Sequence, residues 1–314
     1  MNPTQACRPG QSARSKLWKR IRACSVLYVF LLPSFALLAV FHYAPMYGIQ
    51  IAFKNFKALF GIWGSAWVGL KHFQTFFHSY RFGVLLQNTL TVSVYSLVVG
   101  FPMPILLALA FNYVKSGKFK KLAQTVSYAP HFISTVVMVG MLSMFFSPTT
   151  GFINTFRAAL GMDKIHFFGV AAYFPHLYVW SGVWQGAGWG AIIYIATLSG
   201  VDPEQHEAAI IDGAIIPQRM WHIDLPALLP TIVILLILNV GSLMSVGYEK
   251  VYLMQNPINL TTSEVISTYT YKIGLENAEY SYSAAIGLFN TVINFILLLS
   301  VNAVANKISG MGLF

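Results

Sequence analysis

Long apolar runs alternate with short polar segments along most of the chain. Six runs reach the roughly 20 residues that a helix needs to cross about 30 Å of hydrocarbon, and they lie near residues 26–44, 87–113, 122–146, 174–198, 226–246 and 283–305. No Asp, Glu, Lys or Arg falls inside any of these runs. The pattern predicts an all-α integral membrane protein with six transmembrane helices.

Composition supports the membrane class. The chain is 56% hydrophobic and only 10% charged, and its mean hydropathy is +0.61. A soluble protein of this length needs more charged surface. The two cysteines, Cys7 and Cys24, have no metal-binding or disulfide-framework spacing.

The positive charge of the chain lies in two segments next to apolar runs, which predicts orientation. Net charge is +10, but no basic stripe with interleaved aromatics suggests nucleic-acid binding. Because cytoplasmic loops carry the excess of Lys and Arg, both segments should be cytoplasmic, and six crossings then place both termini and residues 199–226 inside. The basic residues are Arg8, Arg14, Lys16, Lys19, Arg20 and Arg22, followed by Lys115, Lys118, Lys120 and Lys121.

Two connections are predicted on the outer side. Residues 45–86 are rich in aromatics, and the helical spacing of Phe73, Phe76, Phe77 and Tyr80 predicts an interfacial helix on the outer leaflet. Residues 247–282 are polar enough to reach water. The basic side chains of Lys54, Lys57, Lys71 and Arg81 on this side are either solvated or attract an anionic solute.

The segment after the fourth apolar run predicts a short, capped helix. Asp202 is a suitable N-cap, Pro203 suits the first turn, and Gln205 stands at the third position of a capping-box-like arrangement. Gly213 and Pro217 should end the helix, which gives bounds of roughly Pro203 to Ala214. It is too short to cross a membrane. An ordinary solvated loop helix and a docking element both fit these features.

A longer motif surrounds this helix. The sequence has the pattern EAA, then a glycine after three further residues, then I-x-L-P; the residues that carry it are Glu207, Ala208, Ala209, Asp212, Gly213, Ile223, Leu225 and Pro226. This pattern resembles the EAA loop of permease subunits in binding-protein-dependent ABC importers. The segments FHYAPMYGIQIAFKNF at 41–56, YEKVYLMQNP at 248–257 and YSYSAAIGLFNTVINFILLL at 280–299 are similar to the carbohydrate branch, and within it to alginate-importing members.

The resemblance implies an organisation and a set of partners. It implies an ABC importer type I permease fold, with a basic cytoplasmic tail at 1–25, a transmembrane permease domain at 26–314 with its core at 84–305, and the cytoplasmic EAA loop at 199–226. The helix in that loop would be a coupling helix. The implied partners are a homologous second permease, two ATP-binding cassette subunits and a periplasmic solute-binding protein, in the bacterial inner membrane.

Energy would come from another chain. The Gly117–Lys118 pair lacks the upstream glycine of a phosphate-binding loop and is followed by Phe119. The chain is therefore expected to be a transport subunit without enzymatic activity or a cofactor of its own, with ATP and Mg on the partner ATPase. The resemblance implies that the cargo is an oligo- or polysaccharide. Alginate is the main candidate, and another complex sugar is the alternative.

Uncharged polar residues in the apolar runs are candidates for the substrate path. Amides and hydroxyls in lipid are costly, so they should face the bundle or a cavity, where interhelical hydrogen bonding and substrate contact both remain open. The set is Trp184, Gln185, Asn239, Ser242, Asn290 and Asn294. Gly182, Gly186 and Gly190 predict a smooth packing face, or alternatively a hinge. His131 is predicted to be buried and hydrogen-bonded.

Two other classes of protein are weaker alternatives. An ion-coupled secondary sugar carrier usually keeps intramembrane carboxylates, and none lies in the six runs. A membrane-embedded glycan-processing enzyme needs an acid/base pair, and no paired-carboxylate or nucleophile motif is present.

Overall fold

The computed structural model describes residues 24–310 and 312–313. The six basic residues before Cys24 lie outside the described residues, so the predicted orientation of the N-terminal tail stays a prediction. In the first half of the chain the helices are α1 (Ser25–Leu38), α2 (Ala44–Met46), α3 (Gly61–Gly64), α4 (Lys71–Phe77), α5 (Arg81–Tyr95), α6 (Pro102–Tyr113), α7 (Gly117–Tyr128), α8 (Thr135–Phe145) and α9 (Phe152–Ala159). The two-residue strands β1 (Lys54–Asn55) and β2 (Ala66–Trp67) pair antiparallel.

The second half contains the longest helices. They are α10 (Phe174–Leu198), α11 (Pro203–Ile211), α12 (Ile216–Arg219), α13 (Leu225–Gly241), α14 (Tyr248–Met254), α15 (Leu260–Ser263), α16 (Ile266–Tyr271) and α17 (Tyr280–Ser309). Short 3₁₀ or π turns join several neighbours into continuous rods. In the described part of the chain the fold is helical apart from the β1–β2 pair, which confirms the all-α prediction.

All six predicted apolar runs are helical, but they differ in form. Four rods are long and apolar enough to cross a membrane, namely Ser25–Phe53, Arg81–Tyr113, Ile216–Gly241 and Tyr280–Ser309. The 25-residue α10 is about 37 Å long at 1.5 Å per residue but less apolar than these four rods. The structure therefore supports four spans, or five with the bent pair described next, where the sequence predicted six. The rods from Arg81 and Ile216 begin several residues before the predicted runs.

The third predicted run is not one straight helix. Its two parts, Gly117–Phe132 and Thr135–Phe145, meet at 103°. Pro130 lies in the 3₁₀ turn that ends the first part, and the Ser134 side chain accepts a hydrogen bond from the Val137 N–H to start the second. Because a proline has no N–H to continue a helix and a capped serine begins a new one, the break is encoded locally.

The outer aromatic segment is more deeply packed than predicted. Helix α4 contacts α17, and Phe76 is 1% exposed, where it meets Phe82 and Phe289 edge-on. The predicted interfacial helix is therefore wrong for Phe76, because helical spacing shows which aromatics share a face and not which surface covers that face. Tyr80, by contrast, is exposed.

The core of the bundle depends on close approach between α6, α7 and α10. A β-carbon on Gly188 would overlap the carbonyl oxygen of Ser127 on α7, and one on Gly190 would lie 3.0 Å from Pro104 on α6. His131 is exposed and stacks on Trp189, with ring centroids 4.4 Å apart. The prediction of a buried His131 is wrong, because the turn at Pro130 carries its ring to the outside of the packed helices.

Candidate functional site

Helix α11 begins as the sequence predicts. The Asp202 carboxylate accepts a hydrogen bond from the Glu204 N–H at 3.0 Å, and Pro203 occupies the first turn. The Gln205 N–H donates to the Asp202 carbonyl oxygen. The cap is thus a single side-chain acceptor rather than a reciprocal capping box, and it fixes the N-terminus of a nine-residue helix.

The end of α11 is a two-bond glycine motif. Gly213 has φ +81°, the Gly213 N–H donates to the Ile210 carbonyl, and the Ala214 N–H donates to the Ala209 carbonyl at 2.8 Å. These are the two bonds of the Schellman motif, which ends helices at a left-handed residue. The helix therefore stops at Ile211, three residues before the predicted Ala214, while Gly213 ends it as predicted.

The surface of α11 is open. Glu207 and Ala208 are exposed, Ile211 is 85% exposed, and Trp221 in the following turn is 68% exposed. An open groove of about 410 Å³ runs beside the helix, lined by Ala209, Asp212, Gly213, Ala214, Gln218, Arg219, His222 and Ile223. Leu225 and Pro226 do not line the groove and instead form the first turn of α13. Six of the eight predicted EAA residues thus lie on or beside one exposed surface formed by α11 and the turn after it.

A polar junction beneath α11 was not predicted from the sequence. Asp224 is 0% exposed; its carboxylate accepts from the Tyr113 hydroxyl at 2.6 Å and from the Asn112 amide at 3.4 Å, and it lies 3.3 Å from His206 Nε2 on α11. The Arg219 guanidinium lies 5.4 Å from the Tyr113 ring centroid. The junction therefore ties α11 to the ends of two membrane rods.

This junction also bears on sidedness. Tyr113 is the last residue of α6 and immediately precedes the basic loop that starts at Lys115. His206 of α11 lies against Tyr113, with ring centroids 6.3 Å apart. Helix α11 and the basic loop therefore lie at the same end of the bundle, as the count of crossings predicts.

A second feature is a cavity of about 510 Å³ between the middle portions of the Arg81–Tyr113 rod, α10 and the end of α13. Its polar lining combines three residues of the predicted path with other hydroxyls: Gln185, Asn239 and Ser242, then Ser93, Ser96 and Ser245. Gln185 Nε2 donates to the Ile133 carbonyl at 2.7 Å, and the Asn239 amide donates to the Leu235 carbonyl. Uncharged hydrogen-bonding groups around a space of this size suit a sugar, whose hydroxyls both donate and accept.

The structure places the other three path candidates elsewhere. Trp184 is half exposed and lines a separate, apolar pocket of about 440 Å³ between α8 and α10. Asn294 Oδ1 accepts from the Met244 N–H and Asn294 Nδ2 donates to Ser245 Oγ, each at 2.9 Å. Asn290, one turn earlier, does not line the cavity. For Asn294 the structure shows hydrogen bonding within the protein, to the turn that follows α13, where the sequence left interhelical bonding and substrate contact open.

The glycine face of α10 serves two purposes. Gly190 packs against Pro104, whereas Gly182 and Gly186 line the cavity. A β-carbon on Gly182 would lie 3.4 Å from Lys250 Nζ. The glycine face of α10 therefore packs against α6 at Gly190 and leaves space for the cavity at Gly182 and Gly186.

Lys250 is the charged residue that sequence analysis missed. It lies on α14, immediately after the fifth apolar run, and its side chain turns back to the cavity wall. Its ammonium donates to the Tyr178 carbonyl at 2.9 Å and lies 4.7 Å from the Tyr178 ring centroid. Burial lowers the pKa of Lys250 to about 8. An acidic residue, Glu249, directly precedes it in the chain, which made the pair look like ordinary loop polarity.

The fold combines several membrane-length helices, a polar cavity between them and an exposed short helix at one end of the bundle. The family model for the binding-protein-dependent transport system inner membrane component matches residues 100–310. Protein LplB of Bacillus subtilis is 42% identical over 288 residues, covering 92% of this chain and 91% of the relative. The polygalacturonan/rhamnogalacturonan transport system permease protein YteP of Bacillus subtilis is 40% identical over 301 residues, covering 96% and 94%. The chain belongs to the family of binding-protein-dependent permeases.

Solved structures agree with this assignment. The crystal structure of a bacterial ABC transporter involved in the import of the acidic polysaccharide alginate matches with a TM-score of 0.86 at 39% identity, covering 94% of this chain and 99% of the other. A bacterial alginate ABC transporter in complex with an alginate pentasaccharide-bound periplasmic protein matches with a TM-score of 0.87 at 38% identity, covering 95% and 100%. The predicted family and fold are confirmed: the chain is a sugar ABC importer permease, a multi-pass protein of the inner membrane.

Proposed function

We propose that this chain is one of two permease subunits of an ATP-driven importer for oligosaccharides of an acidic polysaccharide, with alginate as the first candidate. The observation that carries the proposal is the likeness, over nearly the full length, to permeases of alginate importers. YteP, whose name specifies polygalacturonan and rhamnogalacturonan, supports the same chemical class with a different polymer. Another complex sugar is therefore the main alternative.

The exposed surface of α11 is proposed to dock on a separate ATPase, which would bind ATP and Mg. The predicted coupling residues Glu207, Ala208 and Ala209 lie on a helix capped at both ends, beside an open groove and exposed isoleucines. Small residues allow another backbone to approach closely, and a capped helix moves as a unit. Apolar side chains at the water-facing end of a bundle are typical of a docking surface.

A second permease and a binding protein complete the proposed path. Helix α1 has no buried residue, and the polar cavity is partly open. A homologous permease would cover exposed apolar helix surface, complete the wall of the cavity and form a heterodimer. A periplasmic solute-binding protein would deliver the sugar, as the complex formed by the alginate transporter suggests.

Within the path, Gln185, Asn239 and Ser242 are proposed to bind sugar hydroxyls. Trp184, Asn290 and Asn294 stay predictions of substrate contact that would require helix movement, since they do not line this cavity. ATP binding would draw two coupling helices together and open the cavity outward, and hydrolysis would reset it.

The test is reconstitution of the two permeases and two ATPases in liposomes. Binding protein loaded with alginate oligosaccharides should accelerate ATP hydrolysis and drive sugar uptake. If binding protein loaded with galacturonan oligosaccharides produces this acceleration and uptake instead, the cargo is the other complex sugar. Sugar uptake by the permeases under an ion gradient, without ATPase subunits, would instead identify a secondary carrier and refute the proposal.

A further inference from the structure

Lys250 is a half-buried cation that forms no ion pair with the described part of the chain. Among the described residues, the ion pairs within 4 Å are Arg81–Glu264, Lys272–Glu264 and His206–Asp224. None of them includes Lys250. Removing a charge even partly from water without a counter-charge is costly, and this charge lies at the wall of a solute-sized cavity.

The geometry leaves part of this ammonium free for a ligand. An ammonium has three N–H donors, and one of them is used by the Tyr178 carbonyl at 2.9 Å. The Tyr178 ring face, 4.7 Å away, covers a second side. The absence of a side chain at Gly182 lets Nζ lie against α10 at the cavity wall. Tyr178 therefore holds the cation in place while the cavity remains accessible to it.

The other lining groups show which ligand would match. In the described part of the chain, the cavity lining contains hydroxyls and amides, and Lys250 is its one charged side chain. A neutral sugar would use the hydroxyls and amides but would leave the ammonium unpaired. A hexuronate has hydroxyls for the former and a carboxylate for the latter, and charge-assisted hydrogen bonds are about twice as strong as neutral ones.

We propose that Lys250 binds a carboxylate of the translocated sugar, and so makes this cavity selective for uronate-containing oligosaccharides over neutral ones. This inference rests on the proposed import of an acidic sugar and adds the residue that recognises the acid. It assigns Lys250 a binding role that does not depend on which uronate the polymer contains.

Lys54 provides a matched control. Its ammonium also donates to a backbone carbonyl, that of Ile62 at 2.7 Å, and lies 6.0 Å from the Trp63 ring centroid. It does not line the cavity. The two lysines thus share their local bonding and differ in access to the solute.

The first experiment measures ATP-driven uptake of an oligo-uronate in proteoliposomes that contain the complete complex. Lys250→Met keeps the aliphatic stem and should lower uptake about tenfold, the effect of losing one charged hydrogen bond. Lys250→Arg should recover most of the uptake, and Lys54→Met, which removes a lysine outside the cavity, should lose much less uptake than Lys250→Met. Uptake by Lys250→Met equal to that of the wild type would overturn the proposal.

The second experiment uses the wild-type complex, so it does not depend on the folding of a variant. An amine-acetylating reagent is applied with increasing oligo-uronate or with its carboxyl-reduced, neutral analogue, and each lysine is quantified by mass spectrometry. The oligo-uronate should protect Lys250 but not Lys54, and the neutral analogue should protect neither. Equal protection of Lys250 by both sugars, or by neither, would overturn the proposal.

The proposed function and the role of Lys250 can be refuted separately. If the wild-type complex imports no oligo-uronate, the proposed function is wrong and the carboxylate role falls with it. If the wild type imports oligo-uronate while Lys250→Met does so equally well, the proposed function stands and only the role of Lys250 is refuted.

Discussion

The contact between His206 and Asp224 should transmit motion between the coupling helix and the membrane rods. His206 belongs to α11, and Asp224 closes the π turn that leads into α13. Their side chains are 3.3 Å apart, and the Asp224 carboxylate is fully buried. We expect His206→Ala to loosen α11 from the bundle while the cap at Asp202 and the glycine motif keep it helical.

The size of the effect follows from what the substitution leaves behind. In His206→Ala, Asp224 keeps the Tyr113 and Asn112 donors but loses its only side-chain partner on α11. A buried polar group left short of a partner costs about 1–3 kcal/mol. A loss near the lower part of that range corresponds to about tenfold in an equilibrium.

The assay is the stimulation of ATP hydrolysis by sugar-loaded binding protein in the reconstituted complex. We expect His206→Ala to reduce stimulation about tenfold, and Asp224→Asn to reduce it at least as much because it weakens all three bonds of the junction. The double variant should be no worse than Asp224→Asn, since partners in one network are non-additive. Thermal unfolding of each complex checks that assembly is retained.

A nearby histidine supplies the control. His222 is exposed, and its ring bonds to the Gln218 carbonyl within its own turn at 2.9 Å. His222→Ala removes an imidazole from the same surface without touching the junction. Wild-type stimulation in the His206→Ala variant, or additive losses in the His206→Ala/Asp224→Asn variant, would refute the mechanical role of the contact.

Three further substitutions test the packing and caps. Gly213→Ala places a side chain at φ +81°, at a cost of about 1 kcal/mol; stimulation should fall several-fold with insertion unchanged, and wild-type stimulation would count against the glycine motif. Gly188→Ala should lower the thermal stability of the complex by about 1–3 kcal/mol because its β-carbon meets the Ser127 carbonyl, whereas Gly287→Ala, with open space, should not; equal melting shifts would contradict this. Asn294→Ala removes two hydrogen bonds and should lower stability more than sugar affinity; the reverse ranking would restore it as a substrate ligand.

Most of the fold could be predicted from local sequence signals. The six helical runs, the cap at Asp202 and the termination at Gly213 depend on residues within one or two turns of each other, so they can be inferred from spacing and side-chain type. Even the break at Pro130 and Ser134 has a local cause and was available from the sequence. It was missed because a continuous apolar run outweighed a single proline.

The candidate site was harder to predict because it depends on distant contacts. Tyr113 and Asp224 are 111 residues apart and meet in one hydrogen bond. Trp184 and Gln185 are neighbours in sequence, yet about 100° of helical rotation sends one to an apolar pocket and the other to the polar cavity. Both residues were chosen as candidates for the substrate path from residue type alone, which does not show where each side chain points. Lys250 was assigned to the outer connection at residues 247–282, because no local sequence signal shows that α14 folds back against α10.

The junction and the cavity lie more than 20 Å apart along the same two rods, by about 1.5 Å per residue, which gives the proposed coupling a mechanical basis. Tyr113 and Asp224 are hydrogen-bonded at the junction. Ser96 lies about 25 Å along its rod from Tyr113, Asn239 lies about 22 Å along its rod from Asp224, and both line the cavity. Each rod contains one π turn, at Ser96–Gly100 beside the cavity and at Met220–Asp224 beside the junction. Such turns are sites where a helix bends most readily. Because Asp224 contacts both His206 of α11 and Tyr113 of the other rod, a displacement of α11 should move both rods together. We therefore expect it to change the width of the cavity and not only the conformation of the segment around α11.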